Sequence, residues 1–154
     1  MVSPRPMAIG ALLALAQLLA SGGDARSSSV PERATAAGQV SFRRDVLPVL
    51  ATSCATVSCH GGGSRPPVLA TRGGASRVRA ALVGVASGDR PDHAYVEPGA
   101  PDASYLVQKI EGRLVDAECT EHDCGSPMPL DNPSLPAGAR ATIRAWIAQG
   151  ARDN

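Results

Sequence analysis

Cys54-Ala-Thr-Val-Ser-Cys59-His60, followed directly by Gly61-Gly62-Gly63, is the stretch on which the structure and chemistry of this chain depend most. It places two thiols and an imidazole within seven residues. Thiolates and a neutral imidazole are good ligands for soft and borderline metals, and two nearby thiols can instead form a disulfide. Glycines directly behind the histidine disfavour any continuing helix. The sequence therefore predicts a ligand-binding or redox-active loop here.

The order of these three groups is typical of covalent haem attachment. In that chemistry each cysteine adds to a vinyl group of the porphyrin, and the histidine behind the second cysteine ligates the iron. Four residues separate Cys54 from Cys59, whereas the common motif has a shorter gap. A Cys54–Cys59 disulfide and a zinc site stay open as alternatives, because zinc accepts paired ligands at this spacing.

The beginning of the chain has the layout of a secretory signal peptide. Arg5 provides a basic start, residues 8–20 (AIGALLALAQLLA) are apolar, and small residues follow up to Ala25. The apolar run is too short to span a bilayer comfortably, since about 20 residues are needed. We therefore predict a signal peptide over residues 1–25, cleaved near Gly22 or Ala25, and a flexible linker over residues 26–40. Retention of the leader as an anchor stays open.

Composition narrows the class of protein. The 154 residues suggest one domain, which we place at residues 41–154. The formal net charge of +1 argues against general electrostatic binding to nucleic acid. All four cysteines follow the leader in two local pairs, and in an exported protein such pairs become disulfides, thioether anchors or metal ligands. Aromatic residues make up only 3% of the chain, so a large flat cofactor would supply apolar core that few aromatic side chains provide.

The apolar periodicity predicts an all-α fold with about four short helices and long Gly/Pro-rich loops. The first helix is expected to begin at a Ser41 cap and to run into Cys54, with a bend or a new start at Pro48. The second helix is predicted over residues 76–87, capped by Ser76. The buried face of the second helix is predicted to consist of Val78, Leu82 and Val85.

Two further helices are predicted in the second half of the chain. The third opens at Pro101-Asp102 and ends near Gly112, and the fourth runs from about Pro136 to Gln149 with Gly150 as its cap. No alternating run is long enough to predict a strand. The predicted buried positions are Leu106, Val107, Ile110 and Leu114 in the third helix and Ile143, Trp146 and Ile147 in the fourth.

The second cysteine pair, Cys119-Thr-Glu-His-Asp-Cys124, lies in an irregular region over residues 115–135. Its simplest role is a structural disulfide that closes a six-residue ring, worth roughly 2 kcal/mol by loop entropy. The alternative is a tetrahedral zinc site made from all four cysteines, with His60 or His122 as a substitute ligand.

Met128 is the methionine that remains once the leader is removed, and it stands between two prolines in Gly125-Ser-Pro-Met-Pro129. Proline fixes a backbone dihedral and lowers the entropy lost when a side chain is held in place. A thioether on such a stiff loop suits an axial ligand of iron. His93 and His122 are the alternative axial ligands, although their charged neighbours favour exposed loop positions for both.

In combination these motifs resemble a small exported mono-haem cytochrome c domain with the wider-spaced attachment motif. The resemblance covers about residues 41–151. It rests on C-A-T-x-x-C-H at the first cysteine pair, P-G-x-P-x-x-S-Y-L over residues 98–106, the later M-P, and a C-terminal helix that bears an aromatic residue.

The resemblance implies one covalent haem c. Cys54 and Cys59 would carry its thioethers, His60 would be the proximal iron ligand and Met128 the distal one. It also implies that the first and last helices cross beside the haem edge, which brings the regions of Phe42 and Trp146 into contact.

The function implied by the resemblance is electron transfer in the bacterial cell envelope, in the periplasm or at the cell surface. The chain shows no convincing nucleophile–base–acid set, so we expect a carrier or redox subunit without a catalytic site of its own. Its redox partner proteins are not identified by the sequence, and a monomer or a subunit of an envelope complex is expected. The alternatives are a haem sensor, a redox subunit of a larger enzyme, or a haemless exported interaction domain stabilised by disulfides or zinc.

Overall fold

The computed structural model describes residues 38–130 and 134–154. The predicted signal peptide, and the predicted linker up to residue 37, lie outside the described residues. These residues form four short α-helices: α1 (Leu47–Ser53), α2 (Ala75–Ala80), α3 (Tyr105–Glu111) and α4 (Ala137–Ala148). Among the described residues there is no strand, only two isolated bridges, Val83–Val96 and Ala86–Ala94. The predicted all-α class is confirmed.

The domain begins with two consecutive helical segments of different geometry. A π-helical turn at Phe42–Val46 leads into α1, and Pro48 lies in the first turn of α1. Proline is tolerated there because the first amides of a helix have no intrahelical acceptor. The Ser41 side chain accepts a hydrogen bond from the Arg44 amide, so the predicted cap is confirmed. Of the two alternatives at Pro48, the structure shows a new start: the helical geometry changes from π to α at Leu47, one residue before the proline.

The first turn and the last helix form the centre of the core. The rings of Phe42 and Trp146 lie 4.9 Å apart between centroids, and both side chains are fully buried. The contact implied by the resemblance is therefore present. The largest buried side chains come from all parts of the described fold: Trp146, Tyr105, Phe42, Leu50, Leu82, Ile143, Ile147, Val46, Val78, Val96 and Val107.

Helix α2 is shorter than predicted. It spans Ala75–Ala80 with Gly74 as its N-terminal cap residue, so Ser76 is not the cap and residues 81–87 are not helical. The chain turns at Gly84, whose φ is +71°, a conformation that favours glycine. Its amide donates to the Val96 carbonyl, and Tyr95 donates back to Val85. These pairings replace helical hydrogen bonds, and Val85 stays 38% exposed.

Helix α4 agrees with the predicted limits, whereas α3 ends as predicted but begins at Tyr105 rather than at Pro101, because Ser104 is extended. A 3₁₀ turn at Pro101–Ala103 precedes α3, and Gly112 ends α3 with φ +65°. Val107 and Ile110 are buried as predicted, whereas Leu106 and Leu114 are only half-buried. Tyr105 and Gln108 take buried positions that the periodicity did not predict. In α4 the predicted face is confirmed: Ile143, Trp146 and Ile147 are fully buried.

The two ends of the described domain are joined by hydrogen bonds. The Asn154 carbonyl accepts from the Ser41 hydroxyl at 2.8 Å and from the Arg43 amide at 3.0 Å. The Asn154 side chain accepts from the Phe42 amide at 2.9 Å and donates to the Val40 carbonyl at 3.2 Å. These contacts fix the π-helical turn against the chain that follows α4.

Candidate functional site

The Cys54–His60 segment is a closed loop at the end of α1. The Cys54 amide still donates to Leu50, as the last helical bond, and the Cys54 carbonyl accepts from the His60 amide at 3.1 Å. Between them the Thr56 carbonyl accepts from Cys59 at 3.0 Å, which makes a turn with Val57 at its exposed tip. The wide spacing of the two cysteines is thus accommodated as a turn that protrudes into solvent.

Two glycines behind the histidine are needed for close backbone packing. A Cβ on Gly61 would lie 2.0 Å from the carbonyl oxygen of Ala55, and one on Gly62 would lie 2.2 Å from that of Val57. The Gly61 amide also donates to Thr56 at 2.9 Å. The chain after His60 therefore folds back onto the loop between the cysteines, which no side chain larger than hydrogen permits.

The two thiols of this loop are free and differ in their surroundings. Cys54 is half-buried, and burial, followed by the charge of Cys59, raises its pKa to about 11. Cys59 is exposed, and hydrogen bonds from Thr56 and Ser58 lower its pKa, with a smaller contribution from Arg65. The alternative disulfide between Cys54 and Cys59 is not formed in this structure.

The His60 ring is held in one tautomer. Its Nδ1 lies 3.1 Å from the carbonyl oxygen of Pro67 and 3.3 Å from that of Arg65. A carbonyl oxygen only accepts hydrogen bonds, so Nδ1 carries the proton and the neutral ring has its lone pair on Nε2. A metal-ligating histidine commonly has this arrangement, in which the other ring nitrogen donates to a carbonyl. The Leu69 amide donates to the His60 carbonyl at 2.8 Å and closes the loop.

The second cysteine pair is a buried disulfide, as predicted. Cys119 and Cys124 are bonded, and the two residues are 7% and 1% exposed. Inside the ring Glu121 and His122 both have φ +56°, which is unfavourable for residues with a side chain. A disulfide sulfur is not a thiolate ligand, so a zinc site from all four cysteines does not fit this state. Within the described ranges no three histidine, cysteine or acidic side chains are grouped for metal binding.

Met128 lies in a non-helical segment, as predicted, and is half-buried. Its amide donates to the Lys109 carbonyl at 3.0 Å. Its side chain lines an open cleft of about 520 Å³ together with Ile110, Glu111, Gly112, Pro127, Pro129, Ser134 and Arg140. Neither His60 nor a thiol of the first pair lines this cleft, so the cleft does not join the two candidate iron ligands.

Helix α3 contacts the segment before Met128 through two side chains that sequence reasoning did not select. The Lys109 ammonium group donates to the carbonyls of Cys124 and Ser126, the latter at 3.0 Å. The Tyr105 hydroxyl donates to the Cys124 carbonyl at 3.0 Å. Burial lowers the pKa of Lys109, although Asp89 opposes this shift. A single lysine in a chain with many arginines was the only sequence signal for this position.

The other two histidines belong to separate environments. His122 is exposed within the disulfide ring, in agreement with the prediction. His93 is not an exposed loop residue: its side chain is 21% exposed, and its Nδ1 lies 3.1 Å from the Asp92 carboxylate. The Asp92 carboxylate is thus its charged neighbour, although the buried Nδ1 makes no hydrogen bond within the described residues.

Comparison of the chain with protein-family models, with curated proteins and with solved structures finds no match. The functional proposal therefore rests on the chemistry of the site. Covalent haem attachment needs two reduced thiols and a histidine with an available ring nitrogen. Cys54, Cys59 and His60 have these properties, so their chemistry fits the group.

Proposed function

We propose that this chain is a haem-c-binding electron-transfer protein of the bacterial cell envelope. Cys54 and Cys59 would hold the haem through thioethers, and His60 and Met128 would be the axial ligands. The observation that carries the proposal is the hydrogen bond from His60 Nδ1 to the Pro67 carbonyl. It leaves Nε2 as the ligating nitrogen directly behind two free thiols.

The residues around the loop have defined tasks in this proposal. The Pro67 carbonyl orients the imidazole and makes it a stronger donor to iron. The exposed turn at Thr56–Cys59 takes up the extra length between the thiols, and Gly61 and Gly62 hold that turn against the chain behind the histidine. When bound, a haem supplies a one-electron couple, whose potential rises with methionine rather than a second histidine as ligand.

The proposed location rests on the disulfide, on the lengths of the helices and on the leader in the sequence. A buried disulfide is typical of proteins that fold in oxidising compartments. None of the helices in the described ranges is both long and apolar enough to cross a bilayer. Both findings are compatible with an exported protein, and the periplasm or cell surface is our proposal from the leader in the sequence.

The decisive experiment is expression of the full chain in cells with a c-type haem-maturation system, followed by a denaturing gel stained for haem peroxidase activity. We expect a haem-positive band at the size of the chain. Cys54→Ala and Cys59→Ala should each weaken the signal, and the double variant should remove it. Val57→Ala, which shortens the exposed side chain at the tip of the turn without removing a thiol, is the matched control. A wild-type band without stain would contradict the proposal.

The distal ligand needs a separate experiment. In the oxidised haem-loaded chain, Met128→Ala should abolish the weak near-infrared band of a methionine–iron bond, whereas His93→Ala and His122→Ala should leave it in place. Loss of the band in a histidine variant alone would reassign the ligand. A band that is the same in Met128→Ala and in wild type would refute methionine ligation.

The second candidate is a haemless exported interaction domain stabilised by its disulfide. The observation in its favour is the buried Cys119–Cys124 bond, which needs no cofactor. This candidate predicts an unstained chain that is nevertheless folded, so circular dichroism of the same preparation separates it from a chain that failed to fold. A haem sensor or a redox subunit would share the stained band and differ in its partners.

A further inference from the structure

Both Tyr105 and Lys109 donate hydrogen bonds to Cys124, but beyond Cys124 the described hydrogen bonds from the segment up to Met128 to α3 are made by Lys109. The disulfide ends at Cys124, so it does not restrain the residues beyond it. Between Ser126 and Met128 the described hydrogen bonds to α3 both involve Lys109: its ammonium group donates to the Ser126 carbonyl, and its own carbonyl accepts from the Met128 amide, each at 3.0 Å. The same ammonium group also donates to Cys124.

The surroundings of Lys109 favour a fixed position for its ammonium group. The side chain is 12% exposed, and the Asp89 carboxylate lies 3.7 Å from the ammonium nitrogen. The Tyr105 ring lies below it, with the nitrogen 5.4 Å from the ring centroid. Two carbonyls, one carboxylate and an aromatic face therefore surround a group that has three donors.

Gly125 keeps the space that this arrangement needs. Its φ is +64°, and a Cβ built on it would lie 3.3 Å from Lys109 Nζ. A side chain at this position would meet the ammonium group between its two acceptor carbonyls. The carbonyls of Cys124 and Ser126, on either side of this left-handed glycine, both accept from the same nitrogen.

We infer that Lys109 is the positioning residue for Met128: its ammonium group and its carbonyl together hold the segment from Cys124 to Met128 on α3 and so fix the place of the thioether. The role as a positioning residue for an iron ligand rests on the proposed function. Lys109 acts through Met128 and need not touch the cofactor.

The test uses the full chain labelled with ¹³C in its methionine methyl groups, with the Met128 signal assigned from Met128→Leu. Lys109→Leu keeps an apolar stem and removes the donor. We expect the Met128 methyl signal to move to the position of an unrestrained methionine and the Met128 amide to exchange at least about tenfold faster, the value of one charged hydrogen bond. Lys109→Arg, which retains charge and donors, should restore most of both.

One further variant is the control for the loss of a positive charge. Arg113→Gln removes a positive charge four residues further on, just beyond the end of α3, where the side chain pairs with Asp102 and Glu111 and not with the Met128 segment, so it should leave the Met128 signal unchanged. An unmoved Met128 signal in a folded Lys109→Leu chain would overturn the inference.

The same variants separate this inference from the proposed function. In the haem-loaded chain Lys109→Leu should weaken the near-infrared methionine–iron band while the stained gel stays positive. A full band in that variant refutes the positioning role and leaves haem attachment intact. If wild type carries no covalent haem, the proposed function fails, and the methyl signal of the haem-free chain still decides whether Lys109 positions Met128.

Discussion

The two cysteine pairs of this chain have the same spacing and opposite states. Four residues separate Cys54 from Cys59 and also Cys119 from Cys124. The first pair consists of free thiols, one of them fully exposed, whereas the second is a disulfide of which Cys124 is 1% exposed. Spacing therefore does not decide whether a pair closes.

The backbone between the cysteines accounts for the difference. In the first pair α1 ends at the first cysteine, and the turn from Thr56 to Cys59 is closed by ordinary main-chain hydrogen bonds. In the second pair two successive residues, Glu121 and His122, adopt positive φ values, and this tight ring brings the sulfurs together. The first loop therefore keeps both cysteines as thiols, and the second loop is cross-linked by its disulfide.

The largest contrast is expected in thiol reactivity within the first pair. Because burial raises the pKa of Cys54 from 9.0 to about 11, its thiolate at neutral pH is about 100-fold scarcer than that of an ordinary cysteine, while the pKa of Cys59 is lowered. Iodoacetamide should modify Cys59 at least about 100-fold faster, as measured by mass spectrometry over time. The Cys59 rate should level off first as pH rises, and the Cys54 rate should increase up to about pH 11. Equal rates would contradict the burial of Cys54.

Removal of the second pair should cost more stability than removal of the first. The double variant Cys119→Ala with Cys124→Ala loses the ring constraint, and urea titration should show a loss of about 2 kcal/mol in the free energy of unfolding. Cys59→Ala in the haem-free chain removes an exposed sulfur and should change it by less than about 0.5 kcal/mol. Similar losses in both variants would show that the disulfide does not brace the fold.

A methyl group at Gly61 should disturb the first loop specifically. Gly61→Ala would place a Cβ 2.0 Å from the Ala55 carbonyl oxygen, so the backbone has to shift, at a cost of about 1.5 kcal/mol in unfolding free energy. Gly88→Ala is the matched control, because no atom lies within 4 Å of its added Cβ. The same urea titration compares both, and a neutral Gly61→Ala would show that the loop does not pack as described.

The smallest predicted effect is an increase in the free energy of unfolding. Glu121→Gly removes the steric penalty of a side chain at φ +56° and should raise the unfolding free energy by between about 0.5 and 1 kcal/mol. Ala117→Gly, in the neighbouring 3₁₀ turn at Asp116–Glu118, should lower it by a similar amount because glycine loses more entropy on folding. Thermal unfolding of the two variants, with the disulfide intact, measures the opposite signs.

Much of the helical framework was predictable because its signals are local. The Ser41 cap, the left-handed stop at Gly112 and the buried face of α4 depend on residues within a few positions of one another. The excess length predicted for α2 has the opposite cause. Residues 81–87 have helical periodicity, but from Leu82 to Ser87 four backbone hydrogen bonds join the segment to residues 93–96, and a single sequence does not reveal that pairing.

In the candidate site, too, local features could be predicted from the sequence and tertiary contacts could not. The residue types and order of Cys54, Cys59 and His60 could be identified from the sequence, as could the disulfide at Cys119 and Cys124. The tautomer of His60 could not, because it depends on the Pro67 carbonyl, which reaches the ring only after the glycine-rich loop folds back. The contacts of Lys109 with residues 15 and 17 positions further along are likewise a product of the tertiary fold.

The hydrogen bonds between Asn154 and residues 40–43 have a consequence for the connectivity of the domain. Because of these hydrogen bonds, the last residue of the described chain lies next to the residues at its beginning. A circular permutant could join Asn154 to Gly38 through a short linker and open the chain between Gly62 and Gly63. In its sequence the Met128 segment would come before the first cysteine pair. The order in which an emerging chain presents its candidate ligands would then be reversed without a change in a single contact of the core.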